Sequence, residues 1–431
     1  MDRLPPEILG GILHLVCHIS DEKERCSYAT VSQNWQAFVE RATFPTLYLN
    51  QSRLGEAQAK GIITPARQSY VRCIKFTAIV PGKYYTENPG MTSQRSNEAV
   101  FEAVAKLLGA VKTWSSPPCG VELALEVDYE ATPKLPDLED GLGWDYRCSL
   151  VSLPHDAYLR LPEVSCITTV TYNPKRDTLL FLVPKTCCEI ASQFPNVHTI
   201  IWLFRSKIFD RDMGTREMSP MQLRNDFATG ISMLPGSVRK AFICWGSLTD
   251  DATVPTCLKE TFDPLSLALR EFTKQLEQLY IDAVVGNELF NDPSLNHDSE
   301  KPLWPRLRVI EISTHARTPQ GYDTFDLDMC VHETDDHTEA QYRVGHLFKP
   351  GEVWCLALAR AAAHMPMLEF LCIKWHINES PRLKYAVDVS SSGATFEMRS
   401  SPGLVIPDVI QNAWWKAARV HIREGEDYTS W

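Results

Sequence analysis

The densest group of chemically capable side chains is Cys330-Val331-His332-Glu333-Thr334-Asp335-Asp336-His337, which brings two histidines, carboxylates and a thiol together in one short run. A zinc protease needs His-Glu-x-x-His, because histidines four apart share one helix face and can hold one metal. Here they are five apart and miss that face. The acidic surroundings read as a solvated loop, so neither a metal nor a cofactor is expected. The 13 cysteines contain no Cys-x-x-Cys pair and only one adjacent couple, Cys187-Cys188, which suggests reduced, mostly buried thiols. No Gly-x-Ser-x-Gly elbow, Walker-type glycine loop or dinucleotide fingerprint occurs. Catalytic triads assemble from distant residues, so a hydrolase in a doubly wound fold stays open as an alternative. The expectation is nevertheless a protein that is not an enzyme.

Composition narrows the partners. Of 431 residues, 44% are hydrophobic and 23% charged, ordinary globular values with material for a large core. A net charge of −11 argues against nucleic acid, whose affinity rests on clustered Lys and Arg neutralising phosphates. The N-terminal Met1-Asp2-Arg3-Leu4-Pro5-Pro6-Glu7 lacks the order of a signal peptide, and no apolar run approaches the ~18 residues of a membrane span. A cytoplasmic or nuclear protein without a membrane partner is expected.

The elements that would position any site fall into two kinds. Prolines open a helix over Pro5 to Val16, with Ile8, Leu9, Ile12, Leu15 and Val16 at helical spacing. Gly10-Gly11 inside it imply weak helix propensity or a close contact. A second helical stripe holds Val31, Trp35, Phe38 and Val39, with Ser32 as a plausible cap. These first fifty residues are too few to bury a good core alone.

Beyond them one phrase recurs: a helix-like segment, an apolar residue usually followed by Pro, then a short β-rich run. It is written at Leu161-Pro162, Phe194-Pro195, Leu234-Pro235, Trp304-Pro305 and Met365-Pro366, and without Pro at Leu276-Glu277-Gln278-Leu279. Most copies are roughly 30 to 40 residues apart, a repeat-array period. Ser219-Pro220 and Asp263-Pro264 start helices between the strands, and residues Glu352 to His364 form another. Such alternation implies parallel strands with right-handed crossovers. Two earlier strands, Val71 to Phe76 and Val121 to Val127, flank a helix around Glu98 to Val111. Lys134 to Trp144 reads as a loop, and the acidic stretch 318–342 as an insertion on the surface. Trp202, Trp245 and Trp375 in the strands, with Trp414 and Trp415 in a last helix, read as core and end packing, with an outward interface anchor as the alternative.

Leu4-Pro5-Pro6-Glu7-Ile8-Leu9, then Ile12, then Val31-Ser32-Gln33-Asn34-Trp35, then Phe44 and Leu47, resembles the F-box in order and spacing; the aliphatic run usual between its first two helices is replaced by Glu24-Arg25-Cys26-Ser27-Tyr28. The remainder is similar to fungal F-box-like proteins with leucine-rich-repeat-like α/β regions, down to a closing helix around Val409 to Arg419. The resemblance implies a three-helix unit that binds a Skp-family adaptor, and through it a cullin-RING ubiquitin ligase. It places Leu4, Pro5, Pro6, Ile8, Leu9, Ile12, Val31, Ser32 and Trp35 at or behind that contact.

The expected fold is therefore α/β: an F-box-like helical domain over 1–50, then an irregular leucine-rich-repeat-like solenoid of parallel strands and helices over 51–431, closed by a capping helix around 407–422. The expected function is substrate recognition for an SCF-type ligase. The alternative is an interaction scaffold whose first helices only cap the repeat array.

Overall fold

The computed structural model describes residues 5–19, 24, 27–82, 89–115, 117, 119–130, 149–175, 178, 180–204, 220–245, 262–296, 302–315, 318–319, 325–334, 337–347, 349–376, 382–388, 393–399 and 406–421. Its centre is one sheet of eleven strands. In chain order these are β1 (Thr46–Leu49), β2 (Cys73–Val80), β3 (Val121–Tyr129), β5 (Ile167–Tyr172), β7 (Thr199–Phe204), β8 (Lys240–Trp245), β9 (Gln278–Asp282), β10 (Val309–His315), β13 (Phe370–His376), β14 (Arg382–Asp388) and β15 (Gly393–Arg399). Each pairs with the next. Pairing is parallel from β1 to β13 and antiparallel through β14 and β15. The short strands β4 (Ser149–Val151) and β6 (Leu180–Leu182) form a separate parallel pair, and β11 (Phe325–Thr334) with β12 (His337–Leu347) an antiparallel one.

A strand order that never reverses makes the sheet singly wound. A doubly wound sheet has a switch point where the order turns back, and this order has none. With right-handed crossovers, every connecting helix then lands on the same face. Burial follows that geometry: along β2, β3, β7 and β9 every second residue is buried while its neighbours are half-buried or exposed. One face is core, and the other is far less covered.

The helices are α1 (Pro6–Ile19), α2 (Gln33–Thr43), α3 (Gln51–Ala59), α4 (Pro65–Gln68), α5 (Pro89–Val111), α6 (Pro184–Ala191), α7 (Pro220–Ile231), α8 (Pro264–Thr273), α9 (Lys349–Ala362) and α10 (Asp408–His421). Six begin on proline, α1, α4, α5, α6, α7 and α8, where the missing N–H leaves no bond unmade. Asn50, Thr64 and Asp263 cap the starts of α3, α4 and α8 by accepting from backbone N–H groups. Neighbouring helices pack in chain order, α6 on α7 and α7 on α8. Their approach is close at Gly230, where an added Cβ would stand 2.9 Å from the Cys188 side chain and 3.1 Å from the Lys185 backbone.

The Pro-marked phrase is the turn by which each helix re-enters the sheet. Phe194-Pro195-Asn196-Val197 and Met365-Pro366-Met367-Leu368 are closed by N–H···O bonds from the fourth residue to the first, with proline presetting the second. From there the strands start at one height. His198 N–H donates to Thr168 O, Arg239 and Lys240 to His198 O, Glu277 and Gln278 to Arg239 O, Arg308 and Val309 to Glu277 O, and Glu369 and Phe370 to Arg308 O. Side chains repeat the step. Asn196 Nδ2 donates to Ser165 O at 2.9 Å, Ser237 Oγ to Val197 O at 2.8 Å and Gln275 Nε2 to Pro235 O at 3.3 Å.

Several expectations are corrected. The sheet begins at Thr46, inside the segment read as wholly helical, because Thr46, Leu47 and Leu49 fit an extended edge beside β2. Where a loop was expected around Cys330 to His337, residues Phe325–Thr334 and His337–Leu347 pair as antiparallel strands; Phe325, Leu327, Met329 and Val331 recur at the period of a strand. Strands β14 and β15 and helix α6 carry no recurring proline phrase and were not expected. The loop read over Lys134 to Trp144 lies outside the described residues.

Two buried carboxyls stand among the helices, and one of them joins two helices. Arg224 of α7 donates to both carboxylate oxygens of Asp263, at 2.9 and 2.6 Å, and to Val284 O at 2.9 Å, with its guanidinium 5.9 Å from the Trp245 ring centre. Ser266 N–H and Oγ also donate to Asp263, and Gly286 N–H donates to Ser266 Oγ. Burial alone would raise the Asp263 pKa, but the charge and hydrogen bonds of Arg224 and the bonds from Ser266 outweigh it and hold the carboxyl below its ordinary value. Glu189 of α6 goes the other way. Burial raises its pKa, opposed by Lys185 at 3.7 Å and abetted by Asp226 and Asp156.

These two carboxyls should oppose each other in pH dependence. A lowered folded pKa gives stability that is present above the unfolded value and lost as pH falls through the folded one, so Asp263 should contribute to acid unfolding. Asp263→Asn should cost about 3 kcal/mol at neutral pH by leaving Arg224 unpaired in the interior, read by denaturant unfolding. A raised folded pKa means that ionised Glu189 destabilises at neutral pH. Glu189→Gln should therefore raise the denaturation midpoint at pH 7, and the gain should fade as pH falls towards the unfolded carboxylate range.

Candidate functional site

Helix α1 divides its apolar residues between two faces. Leu13 is buried, while Ile8, Ile12, Leu15 and Ile19, at i, i+4, i+7 and i+11, are 38 to 77% exposed. That spacing is one continuous stripe on a helix. Pro5 before it is also exposed. Pro6 and Leu9 belong to the helix by backbone, and Leu4 lies outside the described residues. At Gly10 and Gly11 an added Cβ would meet nothing within 4 Å, so neither glycine serves a close contact and both lower helix propensity, by about 1 kcal/mol each relative to Ala.

Helix α2 supplies the inner layer against which α1 packs. Ser32 caps it by accepting from Trp35 N–H at 3.3 Å. Trp35, 5% exposed, and Val39 are buried, and the Tyr28 ring lies 6.0 Å from that of Trp35. Glu24, Ser27 and Tyr28 are helical as well. Val31 stands in the turn before α2 and is 58% exposed, so it leaves the helical stripe expected of it and joins the outer surface. Of the residues singled out from sequence, then, Ile8, Ile12 and Val31 face outwards, Ser32 shapes the backbone and Trp35 lies beneath. Ile19 was missed, although it continues the Ile8-Ile12-Leu15 spacing by one more turn.

Helices α1 and α2 form a small helical hook ahead of the sheet, and a polar clamp joins α2 to α4. Arg67 of α4 pairs with Glu40 of α2 at 2.6 Å, donates to Ile62 O at 2.7 Å, and lies 5.0 Å over the Phe44 ring. The Arg67 hydrogen bond pulls the Glu40 pKa below its ordinary value against the effect of burial.

A second candidate surface is the less covered face of the sheet. Register aligns Ile201, Phe242, Tyr280 and Glu311 across four adjacent strands. The Phe242 and Tyr280 rings stack with centres 6.3 Å apart. Towards β2 the face turns polar: Lys175 pairs with Glu126 at 3.1 Å, Thr77 donates to Glu126 and Thr171 to Glu122. A broad surface of half-buried aromatic and paired polar groups can bind another protein.

Elsewhere the chemistry is quiet. Among the described residues no group of three His, Cys, Asp or Glu side chains could hold a metal, and no helix is long and apolar enough to cross a membrane. Asp335 and Asp336 lie outside the described residues. Trp202, Trp375 and Trp414 are fully buried, while Trp245 and Trp415 are half-buried. No protein-family model matches the chain, and no curated protein matches it.

Burial also settles how the thiols should behave. Cys187, Cys188 and Cys355 are buried, and burial pushes their pKa upwards, to about 12 for Cys355. Among the described cysteines, exposed Cys119 should react first with a thiol reagent at pH 8. Cys187, Cys188 and Cys355, like buried Cys166 and Cys372, should label only on unfolding, as peptide mapping of a labelling time course would show.

Proposed function

We propose that the chain is the substrate-recognition subunit of an SCF-type ubiquitin ligase, with an F-box-like unit at α1 and α2 for a Skp-family adaptor and a leucine-rich-like solenoid for a protein substrate. The adaptor links the chain to a cullin-RING ligase, whose other subunits perform the transfer. The chain contributes proximity and orientation.

One observation carries this reading: the stripe Ile8, Ile12, Leu15 and Ile19 stays exposed on a helix whose other side is already packed. A lone exposed Leu needs no explanation, but four aliphatic side chains in register on one helix are an interface waiting for a partner. The F-box resemblance names the partner, since that unit offers an apolar helical face to the adaptor's helices. A scaffold whose first helices merely cap the sheet would bury this stripe against its own strands. The less covered face, with its aromatic row, fits the substrate role.

The test is a pulldown of the full chain with a Skp-family adaptor. The wild type should bind, and Ile12→Asp with Leu15→Asp should weaken binding by about tenfold or more, because both side chains are exposed and their loss spares the fold. Trp35→Ala is the wrong probe, since a buried tryptophan would cost about 3 kcal/mol of stability. Failure of the wild type to bind, or undiminished binding by the double variant, overturns the proposal.

A further inference from the structure

Strand β1 is the end of the sheet: it pairs with β2 on one side, and among the described residues with no strand on the other. Cys73 N–H of β2 donates to Pro45 O at 2.9 Å. Strand residues direct their N–H and C=O to alternate edges, so Leu47 and Leu49 also turn towards β2, and Thr46 and Tyr48 turn theirs to the open side. Unpaired edge groups are a template for another strand.

This edge does not run into open solvent. It floors a concavity of about 850 Å³, walled by the end of α2, by α3 and by the residues before α4. All four residues of β1 line it, together with the apolar side chains of Val39, Phe44, Ile62 and Ile63. The Arg67 clamp to Glu40 and to Ile62 O fixes two of the walls. Tyr48, 59% exposed, offers a ring beside the edge, with Lys75 5.3 Å above it.

Charge in the groove selects the ligand. Of its four charged side chains, Arg67 is matched by Glu40 and Glu56 by Lys60. Arg53 is exposed, and its guanidinium makes no hydrogen bond or ion pair among the described residues. The groove therefore presents backbone groups for a strand, an apolar wall for a side chain, and one exposed guanidinium, that of Arg53, whose charge is shared only with Glu56, itself paired with Lys60.

We propose that the β1 edge is a strand-addition site that takes an extended segment of a partner protein carrying apolar and acidic residues in alternation. Backbone pairing with Thr46 and Tyr48 gives affinity, the apolar wall takes one side chain, and Arg53 takes a carboxylate. The proposal does not rest on the adaptor reading; loss of adaptor binding leaves it standing.

The probe is an acetylated six-residue peptide alternating Val and Glu, titrated into the full chain. Expected are saturable binding, amide exchange at Thr46 and Tyr48 slowed at least about tenfold, and affinity lowered at least about fivefold by Arg53→Glu. The same peptide N-methylated at alternate residues should not bind, a control that leaves the protein unaltered. Three results overturn the proposal: no saturable binding by the Val/Glu peptide, equal binding by a Val/Lys peptide or by the N-methylated one, or affinity unchanged in Arg53→Glu. A concentration-dependent dimer that protects the same amides without peptide would assign the edge to a second copy, and overturns it too.

Discussion

Parallel pairing in chain order, with each strand entering at the height of the last, is the constraint from which the rest of the molecule follows. A parallel pair needs a crossover, and a crossover that always turns the same way puts every helix on one face. The backbone bonds from His198 to Thr168 O, from Arg239 to His198 O and onwards to Glu369 are that constraint in atomic form. Slipping one strand by a residue would turn its buried side chains, such as Ile200, Trp202 and Phe204 of β7, to the far face. Register, core and binding surface are thus one decision.

The one-sided core also explains where polar groups are tolerated. Between helices that must pack in line, a buried carboxylate keeps its charge most easily where it is answered several times over. Asp263 receives Arg224, Ser266 and the start of its own helix, and the same network reaches Gly286 after β9. Glu189 has only Lys185 against burial and two nearby carboxylates. The contrast in their pKa directions records how completely each site replaces water.

Much of the sheet was legible because proline is loud. The phrases at Phe194-Pro195, Leu234-Pro235 and Met365-Pro366 mark re-entry turns, and the strands that follow them stand where the spacing puts them. What escaped notice lacked that punctuation. In β14 and β15 the apolar residues Leu383, Tyr385 and Val387, and Ala394, Phe396 and Met398, alternate as in any strand, but antiparallel neighbours need no helix between them. In β11 the charge of Asp326, Asp328 and Glu333 masked the same alternation. The candidate site was legible in part: helical spacing reveals a stripe, but only the fold says which side of α1 stays uncovered. Val31 shows the limit, since a residue assigned to a helix face proved to sit in the turn before it.

The two ends of the sheet are finished differently, and the difference bears on the proposed function. At the far end an antiparallel meander follows β13, and α10 packs its Ile410 and Trp414 into the core. At the near end β1 has four residues, and the hook beyond it is held by α2, whose Glu40 grips Arg67. Helix α1 has 14 residues and two uncompensated glycines, near the ~12–15 residues at which an isolated helix is marginal in water. Tertiary contact must hold it, yet among the described residues of its stripe and core side only Leu13 is buried. Burying one exposed aliphatic side chain is worth about 1.5–3 kcal/mol, so a partner helix laid on the Ile8–Ile19 stripe offers α1 more than its neighbours do. On the proposed reading the adaptor completes the hook, and the stability of α1 and the affinity for the adaptor are the same free energy measured from two sides.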